Sequence, residues 1–382
     1  MVVIAAALAG AVRLWGGSVA QPPPRAEPTA TPTPTEAPPS PRLATFRLVG
    51  RPGSGPPGLR VLVGNAQPAT LGSGAPAVVT ATGEVRPLPG PKAGAGQLVE
   101  VRRLPAATAV ILQDAQFRPL SLTVLPDRGA VAHLGADLDT VVAAHEGGFI
   151  AANSGWTGHS GRLASYTAAG QLRWQRPLGD ATLVQRDTPY GLLVDVIDNP
   201  ETSSQGTLAL IDARTGALRH RIGAADTVLA STDRTVAWVP YGCGEWPGRC
   251  SLASTDLRTL EQAIYPLPNG RPPAYGAFST NETMLALSFS GRHEFAASLD
   301  PDGYVSVLSL VTGQFERMPG LTTPAKQAPT LAWAAGLQLM LGVRANDQLD
   351  RLLMWSPGQP GPTVLPCKLP PFSASSYLAV LS

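Results

Sequence analysis

Short apolar runs recur along the chain, each pair separated by a tight polar turn. Leu98-Val99-Glu100-Val101-Arg102 alternates strictly, while Thr108-Ala109-Val110-Ile111-Leu112 is almost continuously apolar. Both patterns predict short β-strands, the second kind buried on both faces. The clearest unit is Thr207-Leu208-Ala209-Leu210-Ile211, a turn at Asp212-Ala213-Arg214-Thr215-Gly216, then Ala217-Leu218-Arg219-His220-Arg221-Ile222. No helical periodicity stands out after residue 20.

The turns repeat. Gly83, Gly129, Gly170, Gly216, Gly313 and Gly358 are separated by 46, 41, 46, 97 and 45 residues. The 97-residue gap is two periods, and a glycine-free copy at Asp256-Leu257-Arg258-Thr259 falls inside it. A period near 45 residues that runs seven times predicts an all-β, seven-bladed β-propeller of four-stranded antiparallel blades. The expected blades cover about 43–90, 97–135, 138–179, 180–223, 226–268, 274–320 and 329–366. Ser376-Tyr377-Leu378-Ala379-Val380-Leu381 remains without a blade, and is expected to pair within the first one.

The hairpin Gly206 to Gly216 resembles the repeat of quinoprotein-like and WD-like bacterial propellers. Gly161-Arg162-Leu163-Ala164-Ser165-Tyr166 with Gly170 and Trp174 is similar, as is Tyr304 to Gly313. The likeness touches most of residues 43–366 and implies the architecture. It implies no one family. Quinone-dependent dehydrogenases of that group carry adjacent cysteines beside the cofactor, and this chain has no adjacent pair. The Gly-His and Trp-Asp pairs of conventional WD repeats are also missing.

Residues 1–20 open with an apolar stretch, Met1 to Val12, too short to cross a bilayer alone. They read as a secretion signal, with Ser18-Val19-Ala20 as a cleavage site, or as a truncated membrane anchor. Residues 21–42 follow as a Pro/Thr-rich stalk, expected to be disordered and semi-rigid because proline removes donors and favours extended geometry. Residues 43–382 form the expected propeller domain. The 40 glycines and 39 prolines suit a chain of many turns. With net charge +2 and 15% charged residues there is no basic field for nucleic acid.

Cys243 and Cys250 flank six residues that include Gly244, Pro247 and Gly248, so the two ends can meet as a hairpin. In an oxidising compartment a disulfide is the natural reading. Cys367 is expected to be a buried or reduced thiol. The five histidines, at 133, 145, 159, 220 and 293, show no metal-ligand spacing, and His145-Glu146 does not continue into a zinc-protease motif. Asp187, Asp195, Asp198 and Glu201 cluster in sequence without the spacing of a calcium loop. Their favoured reading is a solvated connection. No catalytic, cofactor-binding or metal-binding residue is expected. Interaction residues are expected on exposed loops: Trp156 and His159, Trp246, and Arg292 with Phe295.

These features predict an exported or membrane-tethered, monomeric, non-catalytic module that binds a protein or a cell-envelope component. A small-molecule or carbohydrate sensor is one alternative. An enzyme with a site in the central channel, such as a glycosidase or lyase, is another.

Overall fold

The computed structural model describes residues 46–65, 76–88, 97–114, 116, 118–154, 161–179, 181–197, 206–243, 250–290, 302–323, 328–345, 348–367, 369 and 376–381. Within them strands dominate, and the only helical turns are two short 3-10 segments, Pro268–Gly270 and Ala335–Leu337. Four sheets have four strands in simple antiparallel succession. The first pairs Ser376–Leu381, Arg60–Asn65, Ala77–Thr80 and Val85–Pro87. The next two run through Leu98–Leu104, Ala107–Gln113, Pro119–Pro126 and Ala132–Gly135, then Thr140–Ala143, Phe149–Asn153, Arg162–Tyr166 and Leu172–Pro177. Another holds Tyr275–Phe278, Met284–Phe289, Tyr304–Ser309 and Phe315–Arg317. The C-terminal strand therefore sits where the sequence placed it, with Ser376 opposite Asn65 and Leu381 opposite Arg60.

Two sheets depart from the simple repeat. A seven-stranded sheet runs from Thr182–Thr188 to Gln262–Pro266. Its middle strand, Leu218–Ser231, is 14 residues long and serves both halves. Leu218 to Ala225 pairs with Gly206–Ile211, and Ala225 to Ser231 pairs with Thr235–Pro240. The sequence boundary expected between residues 223 and 226 is thus no break in the strand. Register shifts on both sides of Thr227 bend the strand there instead. The other departure is a five-stranded sheet. Thr330–Ala334, Gln338–Ala345, Gln348–Trp355 and Thr363–Val364 gain Arg51–Pro52 as a parallel fifth strand. Arg47–Leu48 pairs separately with Leu321–Thr322.

The first strands of successive units are neighbours. Ser376–Leu381 packs beside both Thr330–Ala334 and Leu98–Leu104. Leu98–Leu104 lies beside Thr140–Ala143, which lies beside Thr182–Thr188. Leu218–Ser231 adjoins Tyr275–Phe278, which adjoins Thr330–Ala334. All these residues belong to one unit, Arg42–Ser382.

The core explains the continuous apolar runs. Consecutive residues of one strand enter different hydrophobic clusters, because strand side chains alternate between faces. Leu192 and Val194 pack with Ile150 and Leu163 of the preceding sheet. Leu193, between them, packs with Leu208, Val236 and Trp238. Leu285, Leu287 and Phe289 join Ala237, Val239 and Leu252, while Ala286 turns to Leu339, Leu341 and Trp355. Each sheet is covered on both sides by its neighbours. A fully buried Leu contributes roughly 1.5–3 kcal/mol, so no sheet holds these surfaces alone.

The repeated glycines answer a backbone requirement. Gly83, Gly129, Gly170, Gly216, Gly313 and Gly358 all adopt left-handed φ, from +71° to +109°. At the clearest turn Asp212 Oδ1 accepts the backbone N–H of Arg214 at 3.1 Å and of Thr215 at 2.8 Å, and Gly216 N–H donates to the Asp212 carbonyl at 2.8 Å. Asp256 holds the glycine-free copy by the same bonds, to Arg258 and Thr259, and Leu260 stands in the glycine's place with φ +62°. A left-handed non-glycine residue costs about 1–2 kcal/mol. Leu260 offsets this by packing its side chain against the cluster around Leu193 and Trp238.

Gly216→Ala should lower stability by about 1–2 kcal/mol in urea unfolding, since a Cβ there also meets Arg176 Nη1 at 2.7 Å. Leu260→Gly should stay within about 1 kcal/mol of the native chain, because relief of backbone strain and loss of packing oppose one another. The turn also predicts an acid response. A hydrogen bond from Arg219, then bonds from Thr215, hold the Asp212 carboxyl well below the ordinary aspartate value of 3.8. Its contribution is therefore complete above that value and is lost as pH falls toward the folded-state value. Thermal unfolding followed below pH 4 should show a shallower decline for Asp212→Asn than for the native chain.

Candidate functional site

The hairpins joining the first and second strands of successive units meet side by side, and polar side chains tie them together. His145, between Thr140–Ala143 and Phe149–Asn153, bonds Asp187 Oδ2 twice. Its backbone N–H donates at 3.0 Å and its Nδ1 lies at 2.7 Å. Arg186 Nε reaches Asp233 Oδ1 at 2.8 Å, and its Nη1 donates to the Ser231 carbonyl at 3.1 Å. Thr235 Oγ1 donates to Glu282 Oε2 at 2.9 Å. Arg103 grips both carboxylate oxygens of Asp127, at 2.6 and 2.5 Å, and its backbone N–H donates to the Tyr377 hydroxyl at 2.8 Å. The Arg103–Asp127 pair joins two hairpin ends of one sheet, while the other ties link units that are apart in sequence.

A cavity of about 1000 Å³ opens among these hairpins. Leu104, Ala107, Val142, Phe149 and Val184 form an apolar wall. Arg102, Arg103, Arg128, Arg186, Glu100, Asp187, Asp233, His145, Gln185 and Tyr377 supply its polar groups. Three of the acids are already engaged: Glu100 by Arg102 at 2.7 Å, Asp187 by His145 and Asp233 by Arg186. Glu100 is only 4% exposed. Burial pushes its carboxyl above the ordinary range, the Arg102 guanidinium opposes that, and nearby Asp139 adds to it. Tyr377 is pushed up as well, first by burial.

Gln185 occupies a β-bulge. The pairing steps from Val184–Val194 to Arg186–Leu193 and leaves Gln185 without an opposite residue. A bulge re-aims the side chain it carries, and Gln185 lines the cavity. A second cleft, of about 720 Å³, lies against the first, with His145 and Asp187 in the wall common to both. Asp187 is buried, and its Oδ1 has no hydrogen-bond partner among the described residues.

The sequence-derived positions fare unevenly. Cys243 and Cys250 form a disulfide with a Cα–Cα distance of 4.6 Å, inside the ordinary range for such bonds. Cys367 is free and buried, and burial raises its thiol. Trp156, His159, Trp246, Arg292 and Phe295 lie outside the described residues, as do Asp198 and Glu201. Their described flanks are informative. Phe149–Asn153 and Arg162–Tyr166, Thr235–Pro240 and Ser251–Asp256, and Met284–Phe289 and Tyr304–Ser309 are each a second and third strand. Each pair is joined at the sheet end opposite the polar ties. Asp187 leaves the acidic group in which sequence placed it and pairs with His145 across 42 positions. Asp195 is buried in the Gly191–Ile197 strand. Arg102, Gln185 and Tyr377 carried no sequence signal, since strand alternation reports burial and not which units adjoin. Among the described residues no group of three or more His, Cys, Asp or Glu is placed to hold a metal ion, and no helix is long and apolar enough to cross a membrane.

The chain matches no protein-family model and no curated protein. Among solved structures it is similar to the Dos1 propeller, with 11% identity over 85% of this chain and 89% of that one, at a TM-score of 0.50. It is similar also to puromycin hydrolase complexed with PGG, with 16% identity and a TM-score of 0.50 over 85% of this chain. There it spans about half of the other protein, 55%. The fold is of the propeller type. At such identities the likeness speaks to fold alone, and one fold hosts many functions.

Asp187→Asn should weaken the tie to His145. Truncating one partner of a buried charged hydrogen bond costs about 2–3 kcal/mol. Urea unfolding should show that loss, and hydrogen exchange should show it concentrated in the hairpin between Ala143 and Phe149.

Proposed function

We propose that this chain is an exported, seven-bladed propeller that acts as a non-catalytic interaction module at the cell envelope. Counting the seven-stranded sheet as two blades that share Leu218–Ser231 gives seven. The neighbour relations of the first strands, with the Arg186 bond to Ser231 between the two halves of the long sheet, support a closed succession. One observation carries the non-catalytic reading: two ionic pairs of the hairpin face, His145–Asp187 and Arg186–Asp233, are spent tying one blade to the next. His145 orients toward Asp187 and joins two blades, and Arg186 does the same with Asp233. A rigid ring of this kind presents loops on a fixed frame. The Cys243–Cys250 disulfide supports an oxidising location, and the apolar first residues with the Pro/Thr-rich stretch support a tethered one.

The test is crosslinking of the full chain in intact cells of its source, followed by capture and mass spectrometry, with protease accessibility of whole cells as the topology readout. The expected result is one reproducible envelope partner and digestion from outside. A cytoplasmic chain protected from protease, or a purified chain that turns over a substrate at the hairpin face, would overturn the reading.

A further inference from the structure

The cavity among the hairpins has a chemistry that the scaffold role does not use, and the inference drawn from it goes beyond that role. Its acids are engaged one by one, and Arg103 and Arg186 are paired with Asp127 and Asp233, but Arg102 and Arg128 keep donors to spare. Arg102 spends Nε on Glu100, and its two terminal amino groups have no partner among the described residues. The side chain is 36% exposed, so those amino groups are neither fully solvated nor paired. Arg128, at the mouth, has no ion pair or hydrogen bond among the described residues. Two neutral groups complete the set. The Gln185 amide, set on its bulge, has no described partner. The Tyr377 oxygen accepts from the Arg103 backbone, which leaves its own hydrogen to donate elsewhere. Around these donors the wall is apolar, from Leu104, Val142 and Phe149.

The geometry points to a binding site for a small amphipathic monoanion, a carboxylate carrying an aromatic or hydrocarbon body. The carboxylate meets Arg102, whose planar fork suits it, with Gln185 and Tyr377 as further donors. The body lies on the apolar wall. A cationic ligand would meet acids that Arg102, His145 and Arg186 already engage, with only the buried Asp187 Oδ1 left over. Few convergent polar groups in an apolar, preformed cavity are the usual make-up of a small-molecule site, and the ties of His145–Asp187 and Arg186–Asp233 hold this one open before any ligand arrives.

The probes are 2-naphthoate, 2-naphthylmethanol and 2-naphthylmethylammonium, titrated calorimetrically into the full chain. Naphthoate should bind at least tenfold more tightly than the alcohol, and the ammonium more weakly still. Because Arg102→Gln alone strands the buried Glu100, the variant is the double Glu100→Gln/Arg102→Gln, which keeps a hydrogen-bonded pair. It should lose at least tenfold in naphthoate affinity with an unchanged circular-dichroism spectrum. Ala106→Trp, in an exposed turn on the cavity wall, should block all three probes without unfolding the chain. Equal affinity for the three probes, no naphthoate binding at millimolar concentration, or undiminished binding by the folded double variant would overturn the proposal. Envelope-partner capture by Ala106→Trp tells the two readings apart, since the scaffold role survives a blocked cavity.

Discussion

Among the described residues, each four-, five- and seven-stranded sheet is apolar on two sides, and that constraint organises the rest. A strand such as Gly191–Ile197 sends Leu192 and Val194 one way and Leu193 the other, into separate cores. Such a sheet is stable only when sandwiched, so each unit depends on two neighbours. Stability therefore resides in the contacts between units, as in repeat proteins generally. The short strands, the many turns and the left-handed glycines are the local means of delivering each sheet to its place between two others.

With apolar surface occupying most of the faces, the charged pairs between units gather at the ends of strands. There they act in series. The bonds of His145 to Asp187, Arg186 to Asp233 and Thr235 to Glu282 run from one hairpin to the next. They hold the rims of adjacent sheets in register where the apolar packing has ended. The cavity arises at this level because its walls are inner strands and its lining charges are those same ties. Rigidity and recognition thus draw on one set of residues, and only the groups left over, chiefly on Arg102, Gln185 and Tyr377, are available to a ligand.

Much of the architecture was legible in the chain. Turn glycines at a steady period gave the repeat, and apolar runs gave strand identity, as at Tyr304–Ser309 and Gly191–Ile197. The orphan C-terminal run found its partner because a strand without a sheet has one natural destination. What stayed hidden was relational. The join at Leu218–Ser231 depends on a bend rather than a turn, and the lone Gly223 within it does not by itself mark a continuous strand. Arg51–Pro52 is two residues long, too short to show any period. The cavity was hidden for the same reason. His145 and Asp187 are ordinary residues on separate units until packing brings them together, and the bulge at Gln185 is a property of pairing, not of composition. The loops that looked most like recognition elements, around Trp156, Trp246 and Arg292, drew attention through aromatic and arginine content, and that content says nothing of the quieter groups on inner strands.

The pairing of Ser376–Leu381 with Arg60–Asn65 has a temporal meaning. The first sheet lacks its inner strand until Ser376–Leu381 has been made, long after Arg60–Asn65 and after the strands of every other sheet. Until that strand is made, the sheet of Arg60–Asn65 has an open edge. Contacts between Arg60–Asn65 and Ser376–Leu381 are distant in sequence, and such contacts form slowly.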